Sequence, residues 1–232
     1  MFLLQLFTVL FFTSNVAFSE VQDREINKII KLLDYTKEKN AYSGKKFEAG
    51  YQTHKLGDKV LVGQRDMGKR FEKIPYDFTN KTVLDIGTNQ GGMLFEIADK
   101  IKYGVGIDYN PKLVNAANRL KSFSQVTNVD FYVFDLDKEQ HSMIDNFLKT
   151  DQVDICFFLS MCRWVNKWRN VIDYIYKVSD TLLFEANGSQ ELKEQELEYL
   201  NKKYKKIILL SNLSPDDKNP NRTRALYICY KN

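Results

Sequence analysis

From Lys81 onward the chain alternates apolar runs of strand length with segments of helical periodicity, and this alternation restricts the fold more than any other feature. The strand candidates are "KTVLDIG", "YGVGIDY", "VDFYVFD", "VDICFFLS" and "DTLLFEA", with predicted helices over 92–101, 111–121, 138–149, 163–178 and 190–204. Each run is nearly continuously apolar, as parallel strands are when both faces of the sheet are covered. Successive βα units then require helices on both faces. Two further runs, "KKIILLSN" and "RALYICYK", are joined by "LSPDDKNPNRT" with no helix between them, so they pair most simply as an antiparallel hairpin. The expected fold is α/β: a Rossmann-like seven-stranded sheet, mostly parallel, with an antiparallel last strand.

A chain of 232 residues has room for one sizeable core and a terminal extension. With 44% hydrophobic and 28% charged residues it has the composition of a folded protein, which excludes a disordered chain. The 34 basic and 30 acidic residues leave a net charge of +4, too small to argue for a polyanionic partner. Residues 1–19 are apolar and uncharged up to about Thr13, with Ala17 and Ser19 spaced as before a signal-peptidase cut. A signal peptide or N-terminal membrane anchor is expected there, with a cytoplasmic location if the segment is neither. The three cysteines, Cys156, Cys162 and Cys229, imply neither a disulfide framework nor a metal site. An amphipathic helix is expected over 20–39, then an irregular lead-in to residue 80 that covers a site, then one domain over 81–232.

In an open α/β sheet the ligand lies beyond the carboxyl ends of the strands, where strand order reverses. The first βα loop, "DIGTNQGG", is therefore the place to look. Gly87 and Gly91 permit a tight turn and close approach of a ligand to the backbone. Asp85 can orient the loop or reach a cationic part of a ligand. A dinucleotide loop reads G-x-G-x-x-G, with bare amides meeting a pyrophosphate. Here the middle position is Asn89. Asp108, 21 residues after Gly87, ends the second strand, where a carboxylate can accept hydrogen bonds from both ribose hydroxyls. Asn110 before Pro111 is the better cap for the following helix. Tyr109 is suited to stack on or beside an adenine.

These strands, with the D-x-G-x-N-x-G loop, resemble the class I S-adenosylmethionine-dependent methyltransferases over roughly 81–232. The resemblance implies S-adenosyl-L-methionine as cofactor, with Asp135 and Leu136 contacting the adenine. Ser160, Met161 and Cys162 would lie near the sulfonium, and Arg163 and Trp164 could face the acceptor. Packing of Trp164 and Trp168 on one helix face is the competing reading. An NAD- or nucleotide-sugar-binding oxidoreductase and a non-catalytic adenosylmethionine-binding relative remain alternatives.

In the lead-in, Tyr51, His54, Gly63 and Asp66, with Arg65 between, resemble a segment of the tRNA wobble-uridine carboxymethyltransferase-like family and related sugar or small-molecule methyltransferases. The "LS" and "RWV" of the fourth-strand turn faintly resemble RNA 5′-phosphate capping methyltransferases. No N-P-P-Y or D-P-P-Y follows the fourth strand, so the signature of exocyclic base methylation is missing and DNA is not expected as a partner. The acceptor classes are a small molecule, a glycan or RNA, with Tyr51, Arg65, Arg163 and Trp164 as substrate candidates. His54 is the candidate general base, since its ordinary pKa is near neutrality. Glu185, after the fifth strand, is expected to bind the acceptor or orient the lead-in.

Overall fold

The computed structural model describes residues 22–37, 46–214, 216–218 and 224–231, so the expected signal or anchor over 1–19 lies outside the described residues. None of the described helices is long and apolar enough to cross a membrane.

Seven strands form the central sheet: β3 (Thr82–Ile86), β4 (Tyr103–Asp108), β5 (Val129–Val133), β6 (Val153–Leu159), β7 (Ser179–Glu185), β8 (Lys206–Ser211) and β9 (Leu226–Tyr230). Their order is β5-β4-β3-β6-β7-β9-β8. The first five are parallel, and β9 runs antiparallel between β7 and β8. Strand order reverses between β3 and β6, and this places the ligand crevice at their carboxyl ends.

The continuous apolar runs are explained by two cores. Leu84, Ile86, Cys156, Phe158, Leu182 and Phe184 face α5 (Trp168–Val178) and α6 (Gln190–Lys203). The alternate residues Val83, Ile155, Phe157 and Leu183 face α2 (Met67–Phe71), α3 (Gly92–Glu96) and α4 (Pro111–Phe123). Side chains alternate across a strand, so a strand buried on both faces keeps its polar residues mostly to its ends.

Before the sheet, helix α1 (22–36) buries Ile26, Ile29 and Leu33 against Ala116 and Leu120 of α4. A short hairpin, β1 (His54–Leu56) and β2 (Lys59–Leu61), follows. Asp66 then caps α2 by accepting the Lys69 N–H.

Two predicted helices differ from the structure. Over 138–149 there is only a 3₁₀ turn, His141–Asn146. Ile144 is buried and Phe147, three residues on, stacks on Tyr132 at 4.4 Å; this spacing of three puts both on one side of a 3₁₀ turn. The helix predicted over 163–178 is split into a 3₁₀ turn, Cys162–Trp164, and α5, with Val165 extended between them. The Asp137 carboxylate accepts the backbone N–H groups of Asn166 and Lys167, so it satisfies donors that start α5 late. Trp164 and Trp168 therefore share no helix face: Trp164 is 59% exposed and Trp168 is buried.

Candidate active site

A cavity of about 690 Å³ opens at the carboxyl ends of β3, β4, β6 and β7. Its lining includes the sequence-predicted Tyr51, Arg65, Asp85, Gly87, Asn89, Asp108, Tyr109, Asp135, Leu136, Ser160, Trp164 and Glu185. His54, Gly91 and Arg163 are not among the lining residues.

On one side lies the glycine loop. Gly87 is left-handed (φ 81°), and a Cβ there would lie 2.2 Å from the Met161 sulfur, so loop and β6 turn approach as closely as a glycine permits. Asn89 is also left-handed, a conformation its short amide tolerates, and its Oδ1 accepts the Gln90 N–H at 2.9 Å. The Asn89 N–H donates to Asp108 Oδ2 at 3.0 Å, and the Asn110 N–H to Oδ1 at 2.9 Å. Two backbone amides thus fix the Asp108 carboxylate at the cavity wall, and each carboxylate oxygen can accept more than one donor, which suits a vicinal diol. Asn110 also caps α4 by accepting the Lys112 N–H.

Asp85 is buried at the end of β3 and accepts the Thr88 hydroxyl at 2.7 Å. Burial, with Asp108 as a further negative neighbour, pushes its pKa up to about 7 against the lowering effect of Thr88. Asp135 is held in the ionised form chiefly by Lys138, 2.8 Å away, and its pKa is lowered.

The lead-in grips the glycine loop through residues that sequence reasoning missed. Gln52 Oε1 accepts the Gly92 N–H at 2.9 Å, and Gln90 donates to Thr36 at 2.9 Å and to the Ala49 carbonyl at 3.3 Å. The amide that opens α3, where a pyrophosphate would sit in a dinucleotide site, is therefore taken by a protein side chain. No motif marks Gln52 or Gln90, because glutamines carry no spacing rule.

His54 requires a correction as a general base. It is buried behind the loop, 3.4 Å from Gln90 Oε1, with its pKa lowered by burial to about 4. A base must reach the proton it removes, and His54 does not face the cavity. Arg163 requires another: it is exposed outside the cavity, with its guanidinium 5.3 Å from the centre of the Trp164 ring. Gly91 acts through its left-handed backbone (φ 81°) at the start of α3.

The opposite side of the cavity is ionic. Arg65, 1% exposed, donates from Nε to Asp216 (2.7 Å), from Nη1 to Asp217 (3.4 Å) and from Nη2 to Glu185 (3.0 Å). Burial works against its charge, but Glu185, Tyr51 and Asp216 outweigh that and raise its pKa. Arg70 donates to Asp216 (3.0 Å) and Glu185 (2.9 Å). Ser160, at φ 60°, hydrogen-bonds Glu185 through its hydroxyl and accepts Arg224 Nη1 at 2.9 Å. Backbone bonds add to this: the Asp66 N–H meets the Asp216 carbonyl at 2.9 Å and the Lys218 N–H the Gln64 carbonyl at 3.0 Å. The lead-in and the β8–β9 connection are thereby joined over the ends of β6 and β7. Of this set only Arg65, Ser160 and Glu185 were candidates from sequence; Arg70, Asp216, Asp217 and Arg224 carry no local pattern.

The wall thus offers a fixed carboxylate for a ribose, an aromatic at Tyr109, a buried acid at Asp85 for a cationic group, and a first α3 amide already taken by Gln52. These features fit adenosine joined to an amino acid better than a dinucleotide.

Solved structures similar in fold include WbdD, described as a bifunctional kinase-methyltransferase (TM-score 0.57, 17% identity). The match covers 73% of this chain but only 42% of the WbdD chain. The N-terminal domain of EvdMO1, solved with SAH bound, matches at TM-score 0.54 and 10% identity, over 71% of this chain and 79% of that one. An rRNA methylase from Streptococcus thermophilus matches at TM-score 0.53 and 13% identity, over 70% and 94%. No curated protein sequence matches. The family model described as "Methyltransferase domain" matches residues 77–213, which span the glycine loop, Asp108, Asp135, Ser160 and Glu185. The chain belongs to this methyltransferase family.

Proposed function

We propose that the methyl acceptor is a small polar molecule or the end of a glycan, admitted to the half of the cavity bounded by Tyr51, Arg70, Ser160, Trp164 and Arg224. One observation carries this reading: the lead-in and the β8–β9 connection are tied over the strand ends by buried Arg65, Glu185, Asp216 and Asp217. A cover fixed by buried ion pairs suits a ligand that enters a cavity, whereas a duplex needs an open groove. EvdMO1, similar in fold, was solved in the presence of SAH and D-fucose, which supports a sugar among the acceptor classes.

The bound donor supplies an electrophilic methyl group on a sulfonium. The protein's part is then to align the acceptor and exclude water. Asp108 and Asn89 orient the nucleoside end. Met161, packed against Gly87, closes the wall between the two halves. Among the described residues lining the acceptor half, Glu185 is the one carboxylate, and its oxygens already receive Arg65, Arg70, Ser160 and Ser214. Its role on this reading is to hold the cover and the Ser160 turn.

The test is a screen with methyl-labelled donor over saccharides, nucleotide sugars, small organic acids, alcohols and structured RNA. Label in a saccharide or small molecule is expected. Label confined to RNA would overturn the proposal.

A further inference from the structure

The ionic wall has an asymmetry that the fold does not require. Arg65, Arg70 and Arg224 all face the cavity, whereas two of the three carboxylates that neutralise them, Asp216 and Asp217, stand behind and do not line it. The third, Glu185, is saturated by its donors. A guanidinium carries five N–H groups. Arg65 spends its three nitrogens on three carboxylates. Arg70 uses Nε and Nη2, leaving Nη1; Arg224 uses Nη1 on Ser160, with Glu185 Oε2 at 3.6 Å, leaving Nε and Nη2. None of these remaining nitrogens is a buried polar atom without a partner, and both residues line the cavity. The other acidic lining residues, Asp85, Asp108, Asp135 and Asp137, belong to the nucleoside side.

We infer that Arg70 and Arg224 form a subsite for an oxyanion, a carboxylate or a phosphate, carried by the methyl acceptor. Two guanidiniums already oriented by their partners, Arg70 by Asp216 and Glu185 and Arg224 by Ser160 and Glu185, are preorganised for such a group and lose little rotamer entropy on binding it. The inference rests on the reading that this half of the cavity receives the acceptor.

The experiment measures binding of inorganic phosphate and of acetate to the full chain by calorimetry at constant ionic strength, with and without adenosylhomocysteine. Arg224→Gln and Arg224→Lys are compared with the unaltered protein; Arg70 is left alone because it also ties Asp216. Saturable binding of at least one anion is expected, weakened about tenfold or more by Arg224→Gln, the loss expected for one charge-assisted contact. Arg224→Lys should recover part of it, since a point charge replaces a fork. Whichever anion binds identifies the group the acceptor carries. Absence of binding by both anions, or equal affinity in Arg224→Gln, would overturn the subsite. Adenosylhomocysteine affinity is an independent readout: it reports the donor site and the folding of each variant, while anion affinity measured without it still decides the subsite.

Discussion

Arg65 and Glu185 are 120 residues apart in the chain and meet at 3.0 Å, with both side chains at most 3% exposed. Neither element would hold its partner alone. Arg65 lies in an irregular stretch between β2 and α2, and Glu185 ends β7 at the cavity. Their contact fixes where the lead-in crosses the site, and Asp216 and Asp217 extend the link to the β8–β9 connection.

Breaking one side of this link should cost far more than removing a surface pair. A buried charge deprived of its partner is left desolvated, at a cost of about 3–5 kcal/mol. Arg65→Met and Glu185→Ala are each expected to lower the unfolding free energy in urea by that order. The double substitution should lose clearly less than the two together, because no orphaned partner remains across that contact. Strict additivity would show that the pair is not energetically coupled.

Asp108→Ala should weaken adenosylmethionine and adenosylhomocysteine alike. Both share the ribose, and a carboxylate hydrogen bond is worth about 1.5–3 kcal/mol, roughly a tenfold to hundredfold loss. Calorimetric titration of both ligands is the check. A loss confined to one of them would mean that Asp108 does not hold their common part.

The two parts of the site were not equally legible. The glycine-loop side of the cavity is legible because its residues sit at fixed distances along βα units: Asp85, Gly87 and Asn89 in one loop, Asp108 at the end of the next strand. The sheet was legible for the same reason, since burial on both faces leaves continuous apolar runs. The ionic side of the cavity is built from residues brought together by the fold alone. Arg70 and Asp216 are 146 residues apart, and nothing near either announces the other. The split of the helix predicted over 163–178 had the same origin, because the acceptor for the Asn166 and Lys167 amides is Asp137, 29 and 30 residues earlier. Long-range polar contacts leave no periodicity to read.

Asp85 is expected to make donor binding sensitive to pH. Its carboxyl titrates near 7 in the free protein because of burial, chiefly. A ligand bearing an ammonium and a sulfonium favours the ionised form and lowers that pKa on binding. Below pH 7 binding must therefore expel a proton, so adenosylmethionine affinity is expected to fall as pH drops, by up to about tenfold for each pH step of one. Calorimetry in buffers of different ionisation enthalpy should show proton release at pH 6 and little at pH 8.5. Asp85→Asn should flatten the profile; an unchanged slope would assign the titration to another group.

Glu196 predicts a pH dependence of stability that is independent of ligand. It lies on α6, fully buried, and neither carboxylate oxygen has a donor at full hydrogen-bond geometry, the Cys162 thiol and the Asn187 backbone standing near but falling short of it. Burial raises its pKa from 4.5 to about 7; the Cys162 thiol and the Asn187 backbone act in the opposite direction but do not cancel it. Because the folded-state value is above the unfolded one, the contribution is favourable below about 4.5 and is lost as pH rises through about 7. The full loss is on the order of 3 kcal/mol, since each tenfold change in proton affinity corresponds to about 1.4 kcal/mol. Urea denaturation should therefore show Glu196→Gln gaining stability over the parent as pH goes from 5 to 8. The position matters for the site as well, since Asn187 donates to the Ser160 carbonyl at 2.6 Å and accepts the Arg163 N–H at 3.1 Å. Ionising Glu196 loads the support of the turn that carries Ser160 and Met161, whereas the amide stays neutral throughout. If the stability difference between the two proteins is the same at pH 5 and pH 8, Glu196 does not titrate in this range and its burial must be relieved by a donor that moves toward it.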